Sequence, residues 1–359
     1  MKHEVSILGP GVQEHVDGER LFSAFAELDR RSQLATFGDD DLTDTPSILA
    51  TAFREQGYHR KALLLAWSEA GDDVVGGLWV RMPLRDNTSL AGVSVVVDPR
   101  REPADVLASL WEPLLDVVRA EGRRTLQVWT DHAADADAEQ IVPRTGVGSL
   151  PRDALATALE GLGLTVEQVE QHSILQMAPA LEAAAVELPA ARRVAGTAYR
   201  SLGWVGPTPQ DRLEPLAALM ARMSTDAPSG DLEHEPEVWD ADRVAAMDRM
   251  CVETGRTRVM TVAEDVATGH LVAYTAADLP QDKPAIGYQE DTLVHGEHRG
   301  HRLGMLVKAE NLRRIADQAP GVQRLHTWNA GENEHMLAIN LALGFGPASV
   351  GCGWQLTGL

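Results

Sequence analysis

Apolar and polar positions along the first half of the chain alternate between helical and strand-like spacing in a regular order. The apolar residues between 18 and 36 recur at helical spacing, and a Thr-Asp-Thr-Pro sequence marks the start of a second helix. The turn sequence Glu-Ala-Gly-Asp-Asp separates two β-rich apolar runs, which predicts a hairpin. The predicted elements are helices over 18–36 and 44–56, strands over 62–67, 74–80 and 93–97, and a helix over 104–121.

The second half shows a similar order of elements. The segment 181–194 is rich in Ala, Pro and Glu, and we interpret it as a connector between two domains. An amphipathic helix is predicted after it, and later an extended run that passes through a Gly-containing turn directly into another helix. The predicted elements are a helix over 211–223, a strand over 290–294, a helix over 305–316, a strand over 322–328 and a helix with Met336, Ile339 and Leu343 on one face.

The two halves align with each other at an offset of 197 residues without gaps from position 74 to position 97. At this offset Met82-Pro83 falls on Leu279-Pro280, and Val95 to Val97 falls on Thr292 to Val294. Such self-similarity indicates a tandem repeat. We therefore predict an α/β (α+β) protein with an N-terminal domain over 1–180, the connector over 181–194 and a C-terminal domain over 195–359.

Length and composition agree with two soluble domains. A chain of 359 residues exceeds the size of one ordinary core, and 44% hydrophobic with 24% charged residues is typical of globular proteins. The formal net charge of −21 disfavours nucleic acid and favours a cationic partner, although an acidic surface kept for solubility gives the same composition. We expect a monomer or homodimer.

Cysteine content and hydropathy bear on the location of the protein. Two cysteines without paired spacing indicate neither a disulfide framework nor a zinc site. Residues 1–19 lack the apolar core of a signal peptide, and no run approaches the ~20 apolar residues of a membrane span. We expect a cytoplasmic protein that does not associate with membranes.

The most informative stretch runs from Tyr288 to Met305, where a strand, a basic turn and a helix follow one another. This order places the free N–H groups at the start of a helix beside a glycine-containing loop, an arrangement that holds phosphate without a metal. The turn Arg299–Gly304 is therefore predicted to hold a pyrophosphate.

These residues resemble a known family. Arg299-Gly300-His301-Arg302-Leu303-Gly304 is similar to the Arg/Gln-x-x-Gly-x-Gly/Ala motif of GNAT acyltransferases, except that Arg302 stands at the first of the two last glycine positions. A residue with a Cβ fits there if its backbone avoids positive φ and its guanidinium turns outward. The downstream order is also similar: a strand is followed by Asn329, Asn333 and Leu343-Gly344-Phe345. The sequence of these segments most resembles tandem GNAT proteins of actinobacteria, including relatives of mycothiol synthase.

The resemblance implies two GNAT folds, each with a mixed, mostly antiparallel sheet flanked by helices, and acetyl-CoA as co-substrate. It implies that strand backbone binds the pantetheine arm, that the turn binds the pyrophosphate and that two asparagines assist. Helix capping is the alternative role of both asparagines. The implied cofactor-binding residues are Thr292, Leu293, Val294, Arg299, Gly300, His301, Arg302, Leu303, Gly304, Met305, Asn329 and Asn333.

Acetyl transfer to an amine needs a base, because an ammonium with a pKa near 10 must lose a proton. Glu290 and Asp291 precede the pantetheine strand, and strict alternation would point them to opposite faces, so we expect one of them, with a slight preference for Asp291, to be the base. A structural role for these acids is the alternative. Many GNAT enzymes carry a Tyr acid where this chain has Asn340, which cannot donate a proton near neutral pH.

The resemblance predicts an acyl-CoA-dependent N-acetyltransferase acting on a primary amine of a small molecule, with activity in the C-terminal domain only. At the repeat offset Arg299 corresponds to Glu102, and the helix start that follows carries Pro103 and Asp105, which are unsuited to an anion. The alternative is a non-catalytic acyl-CoA sensor or interaction protein. The acidic segment 225–237 is interpreted either as a wall of the acceptor site or as a solvated linker.

Three histidines, His295, His298 and His301, recur at every third position of the turn. A turn that leads into a helix is not expected to bring this spacing onto one face, and no carboxylate is evident that would complete a ligand set. We therefore expect no metal.

Overall fold

The chain forms two compact units. The computed structural model describes residues 3–9, 18–226 and 228–359. The first unit comprises Met1–Gln171, Ser229–His234 and Ala348–Leu359, and the second comprises His172–Pro228 and Glu235–Pro347. Residues 1–2 and 10–17, which carry part of the expectation about a signal peptide, lie outside the described residues, as does residue 227 of the acidic segment.

Both units combine strands with helices. The strands are β1 (Val5–Leu8), β2 (His59–Trp67), β3 (Val74–Pro83), β4 (Leu90–Val97), β5 (Thr125–Ala133), β6 (Gln140–Ile141), β7 (Leu150–Pro151), β8 (Thr165–Gln176), β9 (Tyr199–Val205), β10 (Arg256–Asp265), β11 (Leu271–Pro280), β12 (Ile286–Val294), β13 (Arg324–Ala330) and β14 (Phe345–Thr357). The helices are α1 (Gly18–Thr36), α2 (Pro46–Arg54), α3 (Pro103–Ala120), α4 (Ala154–Gly161), α5 (Met177–Ala195), α6 (Leu213–Met220), α7 (Met223–Asp226), α8 (Ala241–Glu253), α9 (Leu303–Gln318) and α10 (Glu334–Leu343). Single 3-10 turns occur at Gln210–Arg212 and Gly296–His298.

The first unit is built on strands in the order β1-β2-β3-β4-β5-β14. Neighbours are antiparallel except for β4 and β5, which run parallel. Adjacent residues of β2 point to opposite faces, so that Leu64 packs with α3 and α4 while Leu63 and Leu65 pack with α1 and α2. The predicted helices and strands of this half are present, with strand ends extended by a few residues.

The second unit has strands in the order β13-β12-β11-β10-β9, and β12 and β13 are its parallel pair. One face of β10 and β11 shares a core with α5 and α9, and the other face shares a core with α6 and α8. Every residue of β11 is buried, which explains why its sequence shows no polar alternation. This sheet, covered by helices on both faces, positions the predicted site at β12.

Two segments differ from the division expected from the repeat. Residues 181–194 form part of α5, and the buried side chains of this helix belong to the same core as α9. Ala348–Leu359 belongs to the first unit, where β14 pairs with β5 from Ser349↔Ala133 to Thr357↔Thr125. The predicted domain boundaries thus remain a prediction drawn from sequence similarity, whereas the compact units follow contacts. Among the described residues, no helix has the length and apolar content needed to cross a membrane.

Candidate active site

A β-bulge lies in the middle of β12. Thr275 of β11 pairs with Thr292, but Ala277 pairs with Gln289, so that Glu290 and Asp291 together stand opposite Ala276 alone. A bulge breaks the strict alternation of side chains along a strand. The expectation that these two acids point to opposite faces assumed a regular strand, and the bulge removes that assumption.

The strands β12 and β13 part at the same place. Their parallel pairing covers only Ile286↔Arg324, Gly287↔Leu325 and Tyr288↔His326, although both strands continue beyond it. The Thr327 hydroxyl donates to the Gln289 carbonyl at 3.2 Å where the ladder ends. Thr292, Leu293 and Val294, predicted to bind pantetheine, pair with β11 and lie past the end of the β13 ladder.

The two acids of the bulge lie close to one another and to a buried ion pair. Arg258 of β10 donates to Asp278 of β11 through Nε at 2.7 Å and Nη2 at 2.6 Å, and both side chains are nearly buried. The Tyr274 hydroxyl lies 3.5 Å from Asp291 Oδ2 and donates to it. Asp278 and Arg258 act electrostatically on both Glu290 and Asp291.

The surroundings shift the proton affinity of both acids. Glu290 and Asp291 have solvent-exposed surface, and neighbouring protein partly desolvates both carboxylates. The resulting desolvation, reinforced by the Asp278 carboxylate, raises the pKa of Glu290 to about 8. Desolvation, together with the charge of Glu237, also raises the pKa of Asp291. A carboxylate with a pKa near neutrality is suited to accept a proton from a substrate.

The turn after β12 leads into α9 through two residues with positive φ. Gly300 has φ 85°, and Arg302 has φ 56° and ψ 24°, in the left-handed region. The expectation that Arg302 avoids positive φ is wrong. This conformation costs an L-residue about 1–2 kcal/mol. Arg302 therefore has a backbone that glycine adopts without strain, at the position where the motif has glycine. Helix α9 begins at Leu303 without a side-chain cap, which leaves the N–H groups of its first turn open to an anion.

Carboxylates hold both arginines of the turn. Arg302 Nη2 donates to Glu187 Oε2 of α5 at 2.6 Å, so the guanidinium turns outward as expected. Arg299 Nη2 lies 3.5 Å from Asp226 Oδ2, and Arg299 Nε donates to the Val294 carbonyl at 3.4 Å. Arg299 is more than half exposed, so its guanidinium is accessible to a ligand at the turn.

Comparison with known proteins shows which fold carries this geometry. A tandem GNAT protein from the clavulanic acid biosynthesis pathway is similar over 99% of both chains, at 22% identity and a TM-score of 0.74. A GCN5-related N-acetyltransferase from Sphaerobacter thermophilus is similar over 98% of this chain and 95% of its own, at 11% identity and a TM-score of 0.62. The chain has the tandem GNAT fold. No protein-family model and no curated protein matches the sequence.

Within this GNAT fold the two predicted pantetheine asparagines already have partners. Asn333 is the N-cap of α10 and accepts from the Met336 N–H at 3.3 Å, which is its alternative role. Asn329 Oδ1 accepts from Asn340 Nδ2 at 2.6 Å. Asn340 is buried, and its Oδ1 has no hydrogen-bond partner. The position of the usual Tyr acid is thus occupied by an amide bound to Asn329.

Several residues around the acids were missed by sequence reasoning. Tyr274 and Asp278 lie on β11 and Arg258 lies on β10, and the short range of sequence patterns does not connect them to β12. Glu237 lies in the acidic segment 225–237, for which a wall of the acceptor site was one of the two interpretations. One signal was available, since Tyr274, Thr275 and Asp278 interrupt an otherwise apolar strand. A polar side chain in a fully buried strand must find a partner, and here the partners are Asp291 and Arg258.

Two of the three turn histidines come together with an acid. His295, Glu297 and His298 each offer one ligand atom, and these atoms lie within 4.8 Å of one another. The expectation that the turn could not assemble such a group is wrong for His295 and His298, because the 3-10 turn Gly296–His298 folds them toward each other. His301 is not part of the group and packs its ring near that of Tyr199 instead.

Proposed function

We propose that the second unit is an acyl-CoA-dependent N-acetyltransferase that moves an acetyl group from acetyl-CoA to a primary amine of a small cationic molecule. The observation that carries this proposal is the coincidence, at one point of β12, of the bulge with its two acids and the end of the β12–β13 ladder. The GNAT fold supports acyl-CoA chemistry in general. The paired carboxylates support an amine acceptor.

Binding of acetyl-CoA would use the turn and the strand edge. The pyrophosphate would lie against Arg299–Gly304 and the N-terminus of α9, where the helix dipole favours an anion. The pantetheine arm would run along Thr292–Val294 past the end of the β13 ladder. Asn329 and Asn333 would reach it only with the oxygen or nitrogen atoms that their present bonds leave free.

In the reaction the amine lone pair attacks the thioester carbonyl carbon, a C–N bond forms and the C–S bond breaks. The amine proton passes to Glu290 or Asp291, directly or through one water, and the coenzyme leaves as a thiolate. Asn340 cannot protonate this thiolate, but a thiol with a pKa near 8.5 is a tolerable leaving group, and water supplies its proton.

Acceptor recognition follows from charge. Asp278 and Asp291 act electrostatically on Glu290, and Glu237 and Asp278 act on Asp291, while Arg258 pairs with Asp278 and Arg243 with Glu237. A cationic amine is attracted to this site before it is deprotonated, and desolvation strengthens that attraction.

The test is a calorimetric titration of acetyl-CoA followed by a thiol-release assay over a panel of primary amines. One bound acetyl-CoA per chain and amine-dependent thiol release are expected. Binding without release for any amine would favour the second candidate, a non-catalytic acyl-CoA sensor, for which Asn340 in place of an acid is the supporting observation. Absence of binding would contradict both candidates.

A further inference from the structure

The turn that precedes the predicted pyrophosphate loop carries a group of metal-ligating side chains. His295, Glu297 and His298 belong to or adjoin the 3-10 turn Gly296–His298, and their ligand atoms lie within 4.8 Å of one another. The two imidazole rings are 5.7 Å apart at their centroids and inclined by 65°, so they face a common region without stacking.

The ligand types select a class of metal. Two imidazole nitrogens and one carboxylate oxygen suit Zn²⁺, Co²⁺ and Ni²⁺, whereas Mg²⁺ and Ca²⁺ prefer oxygen ligands alone. Zinc bonds of ~2.0–2.1 Å require ligand atoms roughly 3.4 Å apart in a tetrahedral site. The three side chains are exposed or half-buried, so small rotations about their side-chain bonds can close the remaining distance.

In the His298 ring the second nitrogen has a partner, as is usual for metal ligands. His298 Nδ1 lies 3.0 Å from the Tyr199 hydroxyl, which orients this ring and leaves Nε2 for a metal. His295 Nδ1 accepts only a long bond of 3.4 Å from the Glu297 N–H, which a metal at this nitrogen can replace. Tyr199 lies on β9, far from this turn in sequence, so the fold and not the local sequence supplies the bond.

We propose that His295, Glu297 and His298 form a site for a divalent transition metal, with water completing its coordination. The metal would fix the turn between β12 and Arg299. The proposal does not depend on acetyl transfer, since it concerns binding of the ion to the turn alone.

The test uses full-length protein without an affinity tag and Co²⁺ as the probe, followed by optical absorption and calorimetry. One Co²⁺ per chain, with visible d–d absorption, is expected in the wild type. His298→Gln and Glu297→Gln should each weaken binding at least tenfold. Exposed His335, on α10, provides the control His335→Gln, which should bind as the wild type does.

A further variant distinguishes an organised site from adventitious binding to surface histidines. Tyr199→Phe removes only the hydroxyl that orients His298 and should weaken Co²⁺ binding about tenfold. No binding by the wild type, or binding that His298→Gln and Tyr199→Phe leave unchanged, would overturn the proposal.

Discussion

The loops that lead into α3 and α9 are at equivalent positions in the two halves of the sequence, yet they differ in the negative charge that they contain. In the first loop Asp98 is fully buried, and its carboxylate accepts from the Arg100 N–H at 2.9 Å and pairs with the Arg31 and Arg100 guanidiniums. The side-chain bond from Arg100 holds the pKa of Asp98 below its usual range, so the group stays charged. This loop contains its own anion.

The second loop has His295 at the position of Asp98, and the carboxylates that pair with its arginines, Asp226 and Glu187, come from outside the loop. Gly300 and Arg302 adopt positive φ before an uncapped α9, whereas α3 begins with Pro103 after Glu102. Proline removes one N–H and Glu102 places negative charge where a pyrophosphate would lie. Neither helix has a side-chain cap, so the two loops differ in the charge and backbone of a few turn residues rather than in capping.

The strands before these loops, β4 and β12, also differ in their pairing and in their acidic residues. The β4–β5 ladder continues to Ser94↔Trp129, and β3 pairs with β4 without a register shift. At the repeat offset, Glu290 and Asp291 correspond to Val93 and Ser94. At these positions the first unit thus has neither the bulge nor the acids.

The largest expected effect concerns the bulge. Glu290→Gln should lower kcat/KM for the amine by about 10²–10⁴-fold if Glu290, the candidate base with the pKa nearest the working pH, accepts the proton. The wild-type rate should rise with pH through about 8, since Glu290 accepts a proton only when deprotonated, and this limb should disappear in the variant. Initial rates of thiol release from pH 6 to 10 provide the measurement.

The control for this prediction is Glu214→Gln, which removes an exposed acid from α6. It should leave both the rate and its pH dependence unchanged. A limb that persists in Glu290→Gln but is lost in Asp291→Asn would assign the base to Asp291 instead.

The next prediction concerns two substitutions that exchange the charges of the two loops. Arg299→Glu should weaken acetyl-CoA binding at least ~100-fold, because it removes a phosphate contact and adds repulsion. Glu102→Arg makes the reverse change in the first unit and should leave both affinity and the stoichiometry of one unchanged. Calorimetry on the two variants measures this difference, and a second bound acetyl-CoA in Glu102→Arg would show that the charge of Glu102, and not Pro103 or the rest of the loop, excludes acetyl-CoA from the first unit.

A third prediction compares the helices that follow the loops. Lys308 of α9 is only 2% exposed, with Nζ 5.3 Å from the centre of the Phe345 ring, and the equivalent residue of α3 is Trp111. Desolvation lowers the pKa of Lys308 to about 7. Lys308→Met should therefore raise the free energy of unfolding by roughly 2–4 kcal/mol near pH 7.

The pH dependence of this gain has a definite sign. Below pH 7 the lysine is charged in both folded and unfolded chains, so the full cost of burying the charge is present. Between pH 7 and the ordinary pKa of lysine, the folded chain loses the proton first, and the wild type gains stability as pH rises. The difference between variant and wild type in chemical unfolding should shrink toward pH 10, and a constant difference would contradict a buried ammonium.

The smallest effect concerns the strained residue of the second loop. Arg302→Gly should raise the free energy of unfolding by up to ~1 kcal/mol, because glycine adopts positive φ without strain. Loss of the bond to Glu187 reduces this gain, and Glu187→Gln measures that contribution separately. Destabilisation by Arg302→Gly that exceeds the effect of Glu187→Gln would show that the left-handed backbone is not the dominant cost.

Much of this architecture was predictable because local patterns carry it. Apolar periodicity located the helices and strands, and the offset of 197 residues revealed the repeat, since side-chain spacing and turn residues act over a few positions. The loss of the glycines near Pro103 identified the altered loop from sequence alone, because proline and acids have direct consequences for a helix N-terminus.

The tertiary structure decided what depends on contacts between distant residues. The bulge at Glu290 arises from a register shift against β11, which strand alternation in one segment does not reveal. The acids around it come from β11, β12 and the segment before α8, and the Tyr199 bond to His298 spans 99 positions. Sequence therefore determined the repeated frame and its loop chemistry, whereas long-range packing determined which charges meet, because Coulomb and hydrogen-bond energies depend on distance in space.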